Sequence, residues 1–305
     1  MFGMNDVVRA TTDEYADNLR EIVRRIRGQG AEAVLMTPNY VYDEDSARPL
    51  NRLAEFVATM RAVARESGTP VADAHSAYQT QHDRGPETWM RLMSDPVHPN
   101  LRGHNLFADV IIATLCGRTL SLSEPPAAPA SLPHLTARLH ARQPVRVVAM
   151  TPCDTLIAAA LKQISQETPL VVIPWDTGGK SIIELEQEVM ELGWTRYRDN
   201  PDLPPPDLFV VTAPLQLNGI SREQFYRSFA MILNRTQSYV PAQWDCLPVL
   251  PSLLYDHLDP TRQEVEALML YGTADKGLTA IRRLPDESDP PLELLTRKLA
   301  ALVQP

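Results

Sequence analysis

A proline-, serine- and alanine-rich segment near the middle of the chain constrains the fold most, because it divides the sequence into two halves. Residues 120–144 contain the run SLSEPPAAPASLPHL, and a segment of this composition favours a linker over a helix or a strand. Each flanking half alternates short apolar runs with amphipathic stretches, the pattern of strands separated by helices. We therefore predict two α/β units, residues 1–119 and residues 145–305, joined by this linker.

The apolar patterns place the elements of each half. In the first half they predict strands at 33–37 and 70–73 and helices at 12–27, 47–66 and 101–115. In the second half they predict strands at 145–151, 170–174, 208–213 and 246–250, and helices at 156–166, 182–192, 222–238 and from 291. Strands separated by helices indicate parallel sheets with right-handed crossovers, hence three-layer α/β/α units. His75 and His82 stand in a polar stretch that we predict to be a solvated loop.

The first residues have the form of a strand that ends in a tight turn. Met1-Phe2 would be the strand end and Gly3-Met4-Asn5-Asp6 the turn. With no earlier strand in the sequence to pair with it, a sheet edge and apolar helix surface would be left uncovered. We therefore expect the first unit to be incomplete at its N-terminus.

Composition excludes several classes of partner. The formal net charge is −9, from 38 acidic and 29 basic residues, and an acidic surface repels the phosphate backbone of a nucleic acid. No apolar run reaches the length of a membrane span. The three cysteines are far apart, and His98 and His104 have no third ligand beside them, so we predict no disulfide framework, metal or cofactor.

One short motif carries a possible acid–base pair. Asp95 precedes His98 by three residues in the run SDPVHPN, just before a predicted helix. A carboxylate at that spacing on a proline-stiffened loop can hold the imidazole in one tautomer, and the second ring nitrogen then acts as a general base. The alternative is a loop aspartate beside a histidine that caps the helix.

The turn at the start of the chain is a second candidate. At the C-terminal end of a parallel strand it would lie where α/β enzymes bind their ligands. Gly3 permits close approach of the backbone, and the Asn5 amide can donate a hydrogen bond to a developing oxyanion. The alternative is an ordinary turn, since glycine, asparagine and aspartate all favour turns.

Taken together and in order, these motifs resemble the SGNH hydrolases, the GDSL-like lipase/esterase family. Four short blocks in that family supply a serine nucleophile, an oxyanion glycine, an oxyanion asparagine and an Asp/His pair. The asparagine block matches at Gly3 and Asn5, and the last block at Asp95 and His98. The resemblance covers about residues 1–120. It implies a flavodoxin-like α/β/α fold and hydrolysis of a small-molecule ester, such as an acetylated carbohydrate, by serine acyl transfer without a cofactor.

The first two blocks of the family have no counterpart here. The serine and glycine blocks precede the asparagine block, and no residues stand there. We therefore expect the nucleophile to be absent from this chain and the chain as it stands to be inactive, since no acyl-enzyme can form without a nucleophile. The alternative is a non-catalytic pseudoenzyme or binding module.

The second half is similar to a degenerate copy of the same family. Cys153-Asp154-Thr155 follows its first strand, where Gly-Asp-Ser would stand, and Gly178-Gly179 follows its second. Thr212-Ala213-Pro214 replaces the asparagine block, and no D-x-x-H follows. We predict a non-catalytic domain.

A rival interpretation of the second half is a nucleotide-binding loop. The run Trp175–Ser181 ends in GKS between a strand and a helix, as in a P-loop. The full motif needs a glycine at position 174, where this chain has Pro174. Nucleotide binding is therefore the weaker hypothesis.

Overall fold

The computed structural model describes residues 3–42, 47–119, 131–200, 202–215, 217, 219–238 and 243–304. The chain divides into two compact units, Met1–Pro125 and Pro126–Pro305. Every strand pairing described in either unit is parallel, and helices connect the strands. The predicted α/β class with parallel sheets is therefore confirmed.

The N-terminal unit contains one parallel strand pair among the described residues. Its elements are α1 (Asp6–Arg9), α2 (Thr12–Gly28), β1 (Leu35–Met36), α3 (Leu50–Ser67), β2 (Val71–Ala72), α4 (Ala74–Asp83), α5 (Pro86–Met90) and α6 (Leu101–Cys116). In the pair, Leu35 lies opposite Val71. The strand end predicted at Met1-Phe2 lies outside the described residues.

Helix α2 shows how the sequence fixes this unit. A reciprocal capping box starts the helix, with the Glu14 amide donating to Thr11 Oγ1 (3.2 Å) and the Thr11 amide donating to Glu14 Oε2 (2.8 Å). Tyr15 and Leu19 recur at helical spacing and are buried. The Tyr15 ring packs against Phe56 of α3, with ring centroids 5.0 Å apart. This apolar face joins α2 to α3.

The stretch predicted as a solvated loop around His75 is helix α4 instead. The Asp73 side chain caps it by accepting from the Ser76 amide (3.3 Å). Tyr78 is buried, and so is His75, whose amide donates to Thr37 Oγ1 at 2.9 Å. The prediction for His75 was wrong because the buried face of α4 is narrow and is surrounded by polar residues.

The C-terminal unit has a four-stranded parallel sheet within its described residues. Its elements are α7 (Pro133–His140), β3 (Val145–Met150), α8 (Cys153–Ile164), β4 (Leu170–Trp175), α9 (Ile182–Leu192), α10 (Trp194–Asp199), β5 (Leu208–Val211), α11 (Arg222–Thr236), β6 (Asp245–Pro248), α12 (Pro251–Leu254), α13 (Pro260–Asp275) and α14 (Pro291–Leu302). The strand order is β4-β3-β5-β6, and a parallel bridge from Val249 to Ile281 extends the sheet beyond β6. This is the order of a flavodoxin-like sheet.

Helix α7 corrects the predicted linker. Residues 133–140 fall within the segment assigned to the linker at 120–144, yet they form a helix whose Leu135 and Leu139 are buried in the core of the C-terminal unit. The Leu135 amide donates to Asp245 Oδ2 at 2.8 Å, and His134 Nε2 lies 2.8 Å from Asp207 Oδ1. The linker prediction was wrong here because leucines at helical spacing outweigh the proline-rich composition; residues 120–130 lie outside the described part of the chain.

No helix in the described part of the chain has both the length and the apolar character that a membrane crossing requires.

Candidate active site

The loop between α5 and α6 carries the predicted Asp95–His98 pair. Three backbone contacts shape it: an antiparallel bridge between Met93 and Pro99, a bond from the Ser94 amide to the His98 carbonyl (2.7 Å), and one from the Tyr42 amide to the Pro96 carbonyl (3.1 Å). The loop is thus closed on itself and fastened to the segment that follows β1.

The Asp95 carboxylate faces the His98 ring. Its Oδ2 lies 2.8 Å and its Oδ1 3.0 Å from His98 Nδ1. Oδ1 also accepts from the amides of Val97 (2.8 Å) and His98 (2.7 Å), which fixes the carboxylate within the loop. An ionised carboxylate can only accept, so Nδ1 carries the proton and Nε2 is the basic nitrogen. The Asp95 side chain is 22% exposed and that of His98 74%.

The environment of Asp95 keeps it ionised. Burial alone raises the pKa of this carboxyl, and is the largest single influence on it. The hydrogen bonds from the His98 ring, from the His98 and Val97 amides, and the charge on His98 act together in the opposite direction and bring the pKa below its usual range. Asp95 is therefore suited to orient an imidazole and to stabilise its protonated form.

The turn at Gly3 is sterically tight. Gly3 has φ +117°, and a Cβ there would lie 2.9 Å from the Tyr15 hydroxyl oxygen and 3.3 Å from Pro38 Cγ. Both the backbone conformation and the space require glycine. The Gly3 amide donates to Asp6 Oδ2 at 2.8 Å, so in this conformation it is directed at a side chain of its own turn.

The side chain of Asn5 is held by Arg48, which lies just before α3. Arg48 Nη2 donates to Asn5 Oδ1 at 3.3 Å, and Arg48 Nε donates to the Met4 carbonyl at 2.9 Å. With its oxygen bound by Arg48, the Asn5 amide has Nδ2 as the group that can donate to a substrate. This polarity is the one that an oxyanion donor needs.

Both predicted motifs pack against one core. Val7, immediately after the turn, and Val97, between Asp95 and His98, belong to the same buried apolar cluster, and Met4 packs against it. That Gly3, Asn5, Asp95 and His98 act as one catalytic site stays a prediction.

Asn39 also belongs to this region, although it was not among the predicted site residues. Its side chain is 1% exposed, and Nδ2 donates to the Val97 carbonyl (3.0 Å) and to the Tyr40 carbonyl (2.9 Å). The sequence signal was an asparagine directly after the strand run that ends in Thr37-Pro38. Asn39 fastens the acid–base loop to the end of β1.

In the C-terminal unit, the run Cys153-Asp154-Thr155, which stands where the family has Gly-Asp-Ser, begins α8. Burial, and then the charge on Asp154, raise the pKa of the Cys153 thiol to about 12, so it carries no thiolate at neutral pH. Thr155 lies in the first turn of α8, where its hydroxyl donates to the Pro152 carbonyl at 3.3 Å. A further signal went unnoticed: the segment before α14 reads Asp286-x-x-Asp289-Pro290, with an aspartate where the N-terminal unit has His98 before Pro99.

The lysine of the P-loop-like run is already engaged. Lys180 Nζ donates to the Asp176 carbonyl at 2.7 Å and pairs with Glu188 Oε1 at 2.7 Å. The following serine, Ser181, caps α9 in a capping box with Glu184. Nucleotide binding by this run stays the weaker hypothesis, because Pro174 stands where the full motif needs a glycine.

The model of the GDSL-like Lipase/Acylhydrolase family matches residues 1–106. Over these residues the N-terminal unit is similar to that family. The match includes both predicted motifs, from Gly3-Met4-Asn5 to Asp95-x-x-His98, and it confirms the predicted family resemblance for this unit.

Among solved structures, the chain is similar to LAE5, described as an alpha/beta hydrolase enzyme from the metagenome of Lake Arreo, Spain. The identity is 29%, and the TM-score is 0.32. The alignment covers 37% of this chain and 56% of LAE5, so this chain spans just over half the length of that hydrolase. No curated protein matches this chain.

Proposed function

We propose that the N-terminal unit supplies the acid–base and oxyanion groups of an ester hydrolase that works by serine acyl transfer. The observation that carries this proposal is the contact between Asp95 Oδ2 and His98 Nδ1 at 2.8 Å, within a segment matched by the GDSL-like Lipase/Acylhydrolase family. The carboxylate orients the imidazole, and the other ring nitrogen takes a proton from the attacking hydroxyl.

The remaining groups have complementary roles in this mechanism. Asn5 Nδ2 would donate to the oxyanion that forms when the ester carbonyl is attacked. The Gly3 amide can take part only after it leaves Asp6, so a change in this turn would accompany substrate binding. The protonated His98 then returns its proton to the leaving alcohol, and Asp95 stabilises the imidazolium between the two steps. Esters of small acids, such as acetyl groups on carbohydrate, are the substrate class that we propose.

The nucleophile decides whether these 305 residues turn over by themselves. The serine block of the family has no matching position in them, so we propose that this chain alone is inert towards esters. The alternative function is a binding module whose site holds a ligand without turnover. One measurement distinguishes the two functions. It is whether a protein that contains both a serine block and the Asp95–His98 pair hydrolyses esters.

We infer a second, non-catalytic unit of the same type at residues 145–305. The strand order β4-β3-β5-β6 supports this inference, as do the buried Cys153 thiol and the aspartate at position 289.

A pair of proteins tests the enzymatic proposal. The first is the 305-residue chain, and the second is the same chain with any coding sequence that precedes Met1 in frame. We expect p-nitrophenyl acetate hydrolysis and stoichiometric fluorophosphonate labelling only where a serine block is present. In that protein His98→Ala should lower kcat/KM by about 10⁴-fold, while His104→Ala, an exposed histidine of α6, should not.

Two results would contradict the proposal. Stoichiometric labelling of the 305-residue chain would reveal a nucleophile outside the family pattern. An active extended protein that tolerates His98→Ala would remove the assigned base. A stop codon directly before Met1 in frame would instead favour the binding module.

A further inference from the structure

A cavity of about 360 Å³ lies at the carboxyl edge of the C-terminal sheet. Strand β3 is central, with β4 on one side and β5 on the other, so the chain order reverses between β3 and β5. Crevices at such a switch point, outside the carboxyl ends of the strands, are where open α/β sheets bind ligands. Thr151 and Thr212, the residues that directly follow β3 and β5, both line this cavity.

The Thr212 hydroxyl has no hydrogen-bond partner within the described part of the chain, although the residue is only 2% exposed. The other two threonines of the wall satisfy each other: the Thr177 amide donates to Thr151 Oγ1 at 3.0 Å, and Thr177 Oγ1 donates to the Thr151 carbonyl at 2.9 Å. A buried hydroxyl without a partner lowers the stability of the fold. An unpartnered hydroxyl at the wall of a cavity therefore indicates a place for a ligand atom.

The charged residues that line the cavity, in the described part of the chain, are Lys180 and Arg262. Lys180 is fixed in place by Glu188, whose Oε1 lies 2.7 Å from Nζ. The Arg262 guanidinium carbon lies 5.0 Å from the centre of the Tyr255 ring, and Arg262 Nε is 3.6 Å from Asp259 Oδ2. Both cations are thus positioned by carboxylate neighbours, and the wall offers two basic side chains beside its hydroxyls.

We propose that this cavity binds a small molecule through an oxyanion group, a carboxylate or a phosphate. Because the Thr212 hydroxyl oxygen is itself buried, it donates to the oxyanion after its side chain rotates towards the cavity, and Lys180 and Arg262 balance the charge of the ligand. The volume is near the lower limit of small-molecule sites, which is about 300 Å³, so the ligand has the size of a sugar acid, a sugar phosphate or an amino acid. The proposal concerns the C-terminal unit and does not rest on ester hydrolysis by the N-terminal unit.

Titration of the full 305-residue protein with sodium phosphate, and separately with sodium acetate, tests this site and distinguishes the two oxyanions. Threonine methyl NMR at constant ionic strength reports the location. We expect one of the two anions to give saturable shifts at the methyl groups of Thr151, Thr177 and Thr212, with millimolar affinity. Other threonine methyls, such as that of Thr59 in α3, should not move.

Matched variants separate a binding role from a structural one. Thr212→Val keeps the shape and removes the hydroxyl, so it should weaken binding about tenfold without lowering Tm, because no protein group loses a partner. Thr212→Ser should retain binding. Lys180→Met should weaken binding about tenfold, while Lys162→Met, an exposed lysine of α8, should bind as the wild type does.

Three outcomes would overturn the proposal. They are the lack of saturable shifts with either anion, unchanged affinity in Thr212→Val, and binding of ATP with magnesium in a protein that binds neither simple anion. His98→Ala should leave binding unchanged, so a failure of the esterase proposal would not be mistaken for a failure of this one.

Discussion

The Asn39 side chain allows a quantitative test of how the acid–base loop is held. Its Nδ2 donates to the Val97 carbonyl at 3.0 Å and to the Tyr40 carbonyl at 2.9 Å, in a side chain that is 1% exposed. Asn39→Ala removes both donors. Asn39→Asp keeps the shape but places a carboxylate against two carbonyl oxygens, so the pair of variants separates lost hydrogen bonds from added repulsion.

The two variants should differ in size of effect and in pH dependence. Asn39→Ala leaves the buried Val97 carbonyl without its donor, which costs about 1–3 kcal/mol. Asn39→Asp adds an unpaired buried charge and should cost about 3–5 kcal/mol at neutral pH. Burial raises the pKa of the introduced carboxyl above its unfolded value of about 3.9. The free energy of unfolding that Asn39→Asp loses relative to the wild type should therefore be smallest below a pH of about 3.9. This loss should grow as the pH rises through the folded-state pKa of the introduced carboxyl.

Hydrogen exchange measured by mass spectrometry can assign these losses to one unit. Peptides from α2 and α3 should exchange faster in both variants and fastest in Asn39→Asp at pH 7, while peptides from β3 and β5 should be unchanged. Asn18→Asp, at an exposed position of α2, is the matched control and should stay within about 0.5 kcal/mol of the wild type. Wild-type protection of the N-terminal unit in Asn39→Asp at pH 7 would refute the fastening role of Asn39.

Three further predictions concern the two units. Asp95→Ala should destabilise the N-terminal unit by about 2–4 kcal/mol at pH 7, because two amides and a ring nitrogen lose an ionised acceptor. Since its pKa is lowered in the folded protein, this contribution should be present above the unfolded pKa and disappear as pH falls through the folded pKa; equal losses in urea titrations at pH 7 and pH 3 would contradict it. Gly103→Ala should cost about 3 kcal/mol in thermal unfolding, because its Cβ would overlap the Leu92 carbonyl oxygen and lie 2.7 Å from Pro99 Cβ, whereas Gly28→Ala, with open space around it, should be tolerated. Leu135→Ala should destabilise the C-terminal unit alone by about 2–5 kcal/mol, measured by hydrogen exchange in β3; no change there would restore the linker prediction for α7.

Strong local periodicity explains which elements the sequence could predict. Helix α9 has the predicted bounds Ile182–Leu192, and β3 begins at the predicted residue, because their apolar residues follow one period without interruption. Helix α13 (Pro260–Asp275) was missed. Its buried face includes Gly272 and Thr273 beside three apolar residues, so the apolar pattern is weak even though the helix is well buried.

Sequence distance explains which site residues could be predicted. Asp95 and His98 are three positions apart, so a local motif contains the whole interaction. Asn39 and Val97 are 58 positions apart, and only the fold brings them together. The Thr212 hydroxyl could not be predicted for a related reason. Whether a buried group lacks a hydrogen-bond partner can be judged only when the positions of all its neighbours are known.

The segments before the last helix of each unit show why turnover is proposed for one unit and binding for the other. In the N-terminal unit, Asp95 faces the His98 ring. In the C-terminal unit, Asp289, which stands where the N-terminal unit has His98, and the nearby Glu287 face cations of α14: Asp289 Oδ2 lies 2.9 Å from Arg297 Nη2, and Glu287 Oε2 lies 2.8 Å from Lys298 Nζ.

These carboxylates fasten the loop to α14 and orient no base. The described wall of the switch-point cavity likewise contains cations and hydroxyls and no histidine or carboxylate. A site without a general base cannot activate a hydroxyl or a water in the way that His98 can. A wall with two basic side chains and an unpartnered hydroxyl is instead suited to hold an anion, and we therefore propose binding rather than hydrolysis for the C-terminal unit.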